Sequence, residues 1–198
     1  MKATIFLSLL YLLPALLHAQ VQGIMLKDAR PIPEFVLSDD NGKTFTQESL
    51  IDRWTLVMFG FNSCPDVCPF TLKNLEEAIS ETSLRVRPDN VPKMVFVSVD
   101  PARDKDIVTR YASYFHPDFR GVTGEREHID ALVEATDSFY RLMEPNADGS
   151  YEVQHSAFVS VIGPDGQMHA RLDPPFHAGK TAEFLARLQI QHRRDKKS

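Results

Sequence analysis

Residues 54–69 read WTLVMFGFNSCPDVCP, and their pattern indicates the class of fold. Its first half, 54–61, is a continuous apolar run, which is typical of a central strand buried on both faces. Pro69 suits the first position of a helix, so we expect a helix to follow, with Cys64 and Cys68 on the connecting loop. Ligands bind beyond the carboxyl ends of the strands in open α/β sheets. The loop is therefore a predicted functional position.

Strand and helix patterns alternate downstream of the cysteines. Residues 93–99 predict a second buried strand, and 151–162 predict one strand that the turn at 163–166 joins to a last strand over 167–171. Apolar residues at helical spacing predict four helices. These residues are Leu72, Leu75 and Ile79; Ile107, Val108, Tyr111 and Phe115; Ile129, Leu132, Val133 and Thr136; and Phe184, Leu185 and Leu188. We expect 193–198 to fray.

The N-terminal part of the chain adds one hairpin. Residues 34–37 and 44–46 flank Asn41-Gly42, which predicts a β-hairpin, whereas 20–32 have no strand pattern. The order of elements predicts an α/β fold of the thioredoxin type, a three-layer sandwich with a central, mainly parallel sheet and an N-terminal β-hairpin. The last hairpin is expected to add antiparallel pairing.

The composition indicates one domain and excludes several classes of protein. The 198 residues are 43% hydrophobic and 25% charged, and 20–198 contain no repeat or linker. A net charge of -5 argues against nucleic-acid binding. Two cysteines are too few for a disulfide-stapled mini-protein or a four-thiolate zinc site.

Residues 1–19 have the pattern of a secretory signal. Lys2 precedes an apolar run at 3–17, and Ala19 ends the segment. The run is shorter than the ~20 residues that span a bilayer. We therefore expect an extracytoplasmic, periplasmic protein, either soluble from Gln20 onwards or held by an uncleaved N-terminal anchor.

The spacing of the two cysteines leaves several chemistries open. Pro69 disfavours helical geometry at Cys68, and the helix N-terminus beside the loop favours a thiolate. Thioredoxin-like reductases have two residues between their cysteines, whereas Cys64 and Cys68 have three. The longer loop can close as a disulfide or hold one soft metal ion. An inert pair or a plain disulfide is the alternative in an oxidising compartment.

A histidine completes the candidate metal set. His155 falls at the start of the predicted strand over 151–162, and an imidazole with two thiolates suits Cu(I), or Cu(II) with further ligation. The alternative is a structural histidine. Four other histidines are weaker candidates and His18 belongs to the signal; the four are His116, His128, His169 and His177.

Four stretches in order carry a family resemblance. They are FGFNSCPDVCP at 59–69, VSVDPARD at 97–104, the segment from Phe-His-Pro to Thr-Gly at 115–124, and His155-Ser156 followed by IGPDG at 162–166. With them the chain resembles the Sco/SenC family of copper chaperones over essentially all of 20–198. The resemblance implies a thioredoxin-like fold that binds one copper ion through Cys64, Cys68 and His155.

The resemblance also implies a partner. Such proteins assist assembly of the copper A centre of cytochrome c oxidase by delivering copper, reducing the acceptor's cysteines, or both. The expected partners are the copper A-bearing subunit of the oxidase and another copper chaperone or a thioredoxin-like reductant. The alternative function is an extracytoplasmic thiol–disulfide oxidoreductase or redox sensor with Cys64 and Cys68 as its redox-active pair.

Two carboxylates near the predicted site are further candidates. Asp66 lies between the cysteines. It is either a solvated loop residue or a residue that tunes the site or contacts the partner. Asp100 and Pro101 follow the second predicted strand and are expected to line the rim of the crevice.

Overall fold

Ten strands and five α-helices occupy residues 22–196, the part of the chain that the computed structural model describes. The predicted signal at 1–19 lies outside the described residues. The strands are β1 (Gly23–Pro31), β2 (Val36–Ser38), β3 (Thr44–Thr46), β4 (Thr55–Gly60), β5 (Lys93–Ser98), β6 (Arg120–Val122), β7 (Tyr140–Leu142), β8 (Val153–His155), β9 (Val159–Ile162) and β10 (Gln167–Leu172). The helices are α1 (Val67–Ser83), α2 (Pro101–Asp104), α3 (Val108–Phe115), α4 (Arg126–Ala135) and α5 (Ala178–Asp195).

Six strands form the central sheet in the order β1-β10-β9-β4-β5-β6, and the pairs β2–β3 and β7–β8 form separate two-stranded sheets. β4 pairs in parallel with β5, and β5 with β6. The other three pairings are antiparallel. The prediction of a mainly parallel sheet is therefore wrong outside β4, β5 and β6, because the β9–β10 hairpin enters antiparallel to β4 and β1 extends it.

The central strands are covered on both faces. All six residues of β4 are buried, as are the last five of β5. The prediction that the continuous apolar runs form central strands is therefore confirmed. α1 packs against α5 and contacts α3, while α4 contacts β2. Apolar side chains of α4 and of the β2–β3 hairpin join the same core. The predicted thioredoxin-like α/β fold and its N-terminal hairpin are confirmed.

Three local predictions are wrong. The segment 20–32 contains β1, an edge strand with an irregular register that pairs with β10, and its interspersed charges hide the strand pattern. The segment 151–162 is two strands, β8 and β9, which lie in different sheets. α5 continues to Asp195 rather than fraying at Arg193. Within 22–196, we find no helix with both the length and the apolar character needed to cross a bilayer.

The close packing of α1 on β4 depends on Gly60. A Cβ atom at this position would lie 2.6 Å from the Cys68 Sγ atom and 2.7 Å from the Phe96 ring. Both distances are shorter than real carbon contacts, and Cys68 and Phe96 are fully buried. The absence of a side chain at position 60 therefore brings the first turn of α1 onto the sheet.

We expect Gly60→Ala to lower the free energy of unfolding by about 1–3 kcal/mol, because the added methyl group overpacks a filled core. Gly179→Ala is the matched control, since a Cβ atom at position 179 of α5 would meet nothing within 4 Å. Urea denaturation of both variants checks the prediction. Equal stability of the two variants would contradict it.

Candidate metal centre

The two cysteines lie on either side of the start of α1. Cys64 is in the loop after β4, and its N–H donates to the Phe61 carbonyl. Cys68 is the second residue of α1, which begins at Val67. The expectation that both thiols lie on the loop is therefore wrong for Cys68. The first N–H groups of a helix have no partner within it, so Pro69 fits the first turn without losing a hydrogen bond.

The two sulfur atoms are in different environments. Cys64 is 9% exposed and Cys68 is fully buried, and both are free thiols. The Cys68 N–H lies 3.4 Å from the Cys64 Sγ atom and donates to it. This geometry stabilises a negative charge on Cys64, as expected at a helix N-terminus.

The pair shares one proton unequally. The hydrogen bond from the Cys68 thiol lowers the pKa of Cys64 to about 4. The same contact, together with burial and the charge on Cys64, raises the pKa of Cys68. Near neutral pH, Cys64 is therefore a thiolate and Cys68 keeps its proton.

His155 brings an imidazole to the thiols. It is the last residue of β8 rather than the start of a strand, and its Nε2 atom lies 3.3 Å from the Cys68 Sγ atom. The Nδ1 atom lies 2.9 Å from the Ser156 carbonyl oxygen. Because a carbonyl oxygen only accepts, the ring proton is on Nδ1. The Nε2 lone pair therefore faces the sulfur atoms and is available to a metal ion.

The ribbon formed by β7 and β8 holds this imidazole in place. Ser156 donates its N–H to the Phe139 carbonyl (3.0 Å) and accepts the Phe139 N–H on its hydroxyl (2.8 Å). Tyr140 pairs with His155 in the ribbon. The Phe61 ring packs edge-on against the imidazole at 5.9 Å. The histidine thus enters the site from outside the central sheet.

The two sulfur atoms and a ring nitrogen of His155 lie within 4.8 Å of one another. Metal–ligand bonds of about 2.0–2.3 Å place neighbouring ligands about 3–4 Å apart, so small side-chain movements would let the three atoms share one ion. Among residues 22–196, no other histidine or carboxylate joins this group. Of the weaker candidates, His169 lies in a separate cluster with Asp165 and His192.

A buried carboxylate fixes the loop between β4 and α1. Asp104 is 1% exposed, and one of its oxygen atoms accepts the Asn62 N–H (2.8 Å) and the Ser98 hydroxyl (2.6 Å). It therefore ties the ends of β4 and β5 together beside Cys64. The sequence gives no local signal for this contact.

Asp100 does not line the rim as expected. It is fully buried, and its carboxylate pairs with Arg103 and accepts the Tyr151 hydroxyl at 3.0 Å. The Arg103 guanidinium lies 3.9 Å from the centre of the Tyr151 ring. Its Nη2 atom is buried and has no hydrogen-bond partner among residues 22–196. The sequence reasoning missed Arg103 and Tyr151 because they are far apart in the chain.

An open groove of about 820 Å³ leads to the thiols. Cys64 and His155 lie in its wall together with Arg103, while Cys68 lies behind them in the core. Asp66 and the partly exposed side chains of Val67 and Phe139 also line it. The groove therefore gives solvent access to the edge of one thiolate and to the imidazole.

A sequence model described as SCO1/SenC matches residues 25–189. The chain belongs to this family. A Stutzerimonas stutzeri protein named "Putative copper-binding protein" is 31% identical over 181 residues, which cover 88% of this chain and 87% of that protein. The human mitochondrial SCO1 homologue is 36% identical over 135 residues, 67% of this chain and 44% of its own length. The chain thus spans less than half of that relative.

The fold also matches a solved member of the family. The crystal structure of Arabidopsis thaliana ScoI with copper bound superimposes with a TM-score of 0.73 at 30% sequence identity, covering 80% of this chain and 98% of that chain. The resemblance carried by the four sequence stretches is therefore confirmed.

We expect the two thiols of the reduced, metal-free protein to differ in reactivity. Iodoacetamide should modify Cys64 well below pH 8, with a midpoint near pH 4, because only the thiolate reacts. Cys68 should stay unmodified, because it is buried and protonated. Fragmentation mass spectrometry of the peptide that contains both cysteines separates the two sites across pH 3–8.

The same protein unfolded in guanidinium is the control, since both of its thiols should then have a pKa of about 8.5. Equal modification of the two cysteines in the folded protein would contradict the assignment of the shared proton to Cys68.

Proposed function

We propose that this protein binds one copper ion through Cys64, Cys68 and His155, and that it serves assembly of the copper A centre of cytochrome c oxidase. The convergence of two sulfur atoms with an imidazole whose Nε2 lone pair faces them carries this proposal. Two thiolates and a neutral imidazole form a soft donor set suited to Cu(I), and further ligation adapts it to Cu(II). The copper-bound structure of a family member supports the choice of metal.

The groove suits transfer of the ion to another protein. Cys64 and His155 line the groove, whereas Cys68 lies behind them, so an acceptor reaches two of the three ligands first. Val67 and Phe139 are 36% and 57% exposed at the groove and offer an apolar contact. We propose the copper A-bearing subunit as the acceptor.

The unequal sharing of the proton favours a second activity at the same site, reduction of the acceptor's cysteines. The Cys64 thiolate attacks one sulfur of the acceptor's disulfide, forms a mixed disulfide and releases a thiolate. Cys68 then attacks Cys64 as its proton passes to His155 Nε2, 3.3 Å away. The acceptor leaves as a dithiol, and Cys64 and Cys68 become a disulfide. Two electrons pass to the acceptor, one proton comes from Cys68 by way of His155, and the solvent in the open groove supplies the second proton.

We propose that the protein works outside the cytoplasm, with residues 1–19 as its export signal or anchor. Another copper chaperone would supply the ion, and a thioredoxin-like reductant would restore the dithiol after each reductive cycle. An oxidising compartment makes this restoration necessary, because a free pair of thiols tends to form a disulfide there.

The reduced protein should hold one copper ion per chain with sulfur and imidazole ligands. Cys64→Ser should remove a sulfur ligand, and His155→Ala should weaken copper binding by about tenfold or more. His155→Ala should still cycle between dithiol and disulfide, while losing the thiolate-to-copper charge-transfer band of the Cu(II) form. Elemental analysis, X-ray absorption and visible spectroscopy check this.

His116→Ala is the matched control, because the His116 ring accepts the Asp118 N–H rather than facing the thiols. Normal copper content in Cys64→Ser would contradict the ligand assignment.

Cells that carry only His155→Ala should separate delivery from reduction. If delivery is the main task, their cytochrome c oxidase activity should fall at low copper and recover with added copper, because only metal binding needs the imidazole. Cys64→Ser/Cys68→Ser should lose both tasks. Oxidase activity of washed membranes is the measurement. Near-normal activity of the His155→Ala strain at low copper would contradict delivery and identify reduction as the main task.

A further inference from the structure

A second group of metal-binding side chains lies far from the thiols. Asp165, His169 and His192 each place a ligand atom within 4.8 Å of the others. The His169 Nε2 atom is 2.9 Å from both carboxylate oxygens of Asp165. The His192 ring meets the His169 ring edge-on at 4.7 Å. Two imidazoles and one carboxylate therefore converge on one point.

The three residues come from three separate elements. Asp165 lies in the turn between β9 and β10, His169 is on β10, and His192 is near the end of α5. The Asp165 carboxylate also accepts a hydrogen bond from the Gln167 N–H (3.2 Å). This bond accounts for the position of the carboxylate in the hairpin. It does not account for His192, which the C-terminal helix brings to the same place.

The cluster lies at the opposite end of the central sheet from Cys64. Asp165 pairs with Ile51, just before β4 begins, whereas Cys64 follows the end of β4. The six residues of β4 span about 20 Å at the usual rise of a strand. The two groups therefore cannot share an ion.

The surroundings hold the imidazoles in place. A Cβ atom at Gly163 would lie 2.6 Å from the His169 ring, so the missing side chain lets this ring lie across the turn. Trp54 is 3% exposed and its ring packs against His169 at 6.0 Å and His192 at 5.3 Å. The side chains of Asp165 and His169 are only 32% and 18% exposed. Little side-chain entropy remains to be lost when a ligand binds.

We propose that Asp165, His169 and His192 form a second metal site, for a divalent ion such as Zn²⁺ or Cu²⁺. Imidazole and carboxylate donors suit ions of this class, whereas the two thiolates select soft Cu(I). Two histidines and one carboxylate leave further coordination positions to water. The ion connects the last turns of α5 to the β9–β10 hairpin, so it stabilises the packing of the C-terminal helix. This proposal does not depend on the proposed function.

The untagged Cys64→Ala/Cys68→Ala protein isolates this site from the thiolates. Titration with Zn²⁺ in a calorimeter should show one ion per chain, and adding His169→Ala or His192→Ala should weaken binding by about tenfold or more. Zn²⁺ should also raise the melting temperature, because it binds only the folded state. His128→Ala, on α4 and outside the cluster, should change nothing.

The single tryptophan of the chain gives a second measurement. Cu²⁺ bound between the two imidazoles should quench Trp54 fluorescence at one equivalent, and His192→Ala should abolish this quenching. If the double cysteine variant does not fold, the wild-type protein can be titrated with Co²⁺ instead. The first equivalent should give thiolate charge-transfer bands, and a second equivalent should give the weak visible bands of a site with nitrogen and oxygen ligands. Equal affinity in the His192→Ala variant, or no binding at micromolar metal, would overturn the proposal.

Discussion

The contact between α1 and β4 at Gly60 sets the geometry of the thiol site. Because position 60 has no side chain, the Cys68 sulfur and the Phe96 ring occupy the space that a methyl group would need. This packing buries Cys68 completely, while Cys64, four residues earlier, stays at the wall of the groove. Asp104 then fixes the loop that carries Cys64 by bonding the ends of two neighbouring strands. The difference between the two sulfur atoms thus follows from backbone packing.

This difference connects the two proposed activities of the site. A sulfur that is ionised and accessible can attack a disulfide or present a metal ion, and a buried sulfur that keeps its proton can resolve a mixed disulfide or close the metal site from behind. The imidazole serves both activities through the same Nε2 lone pair, as a metal ligand or as a proton acceptor. Copper binding and thiol exchange therefore use the same atoms and exclude each other at any one moment.

Much of the fold was predictable because β4 and β5 are continuous apolar runs and the helices have clear apolar stripes. β1 was not predictable, since an edge strand that contains Lys27, Asp28 and Arg30 is stabilised by pairing with distant β10. β7 has three residues and no pattern of its own. The closeness of the two cysteines followed from their spacing, and His155 from donor chemistry and the family resemblance. Contacts such as Arg103 with Tyr151, or His192 with His169, join distant parts of the chain and leave no local signal.

The separation of β7 and β8 from the central sheet has a kinetic consequence for the ion. Two of the proposed ligands are held by the core, but His155 is held by a ribbon of three residue pairs and by Ser156. Local unfolding of such a ribbon requires far less free energy than global unfolding. Opening of the ribbon alone would withdraw His155 from the two sulfur atoms while the rest of the protein stays folded. For a copper ion held by the three proposed ligands, this local opening would govern the residence time, so that protein stability and metal release could evolve independently.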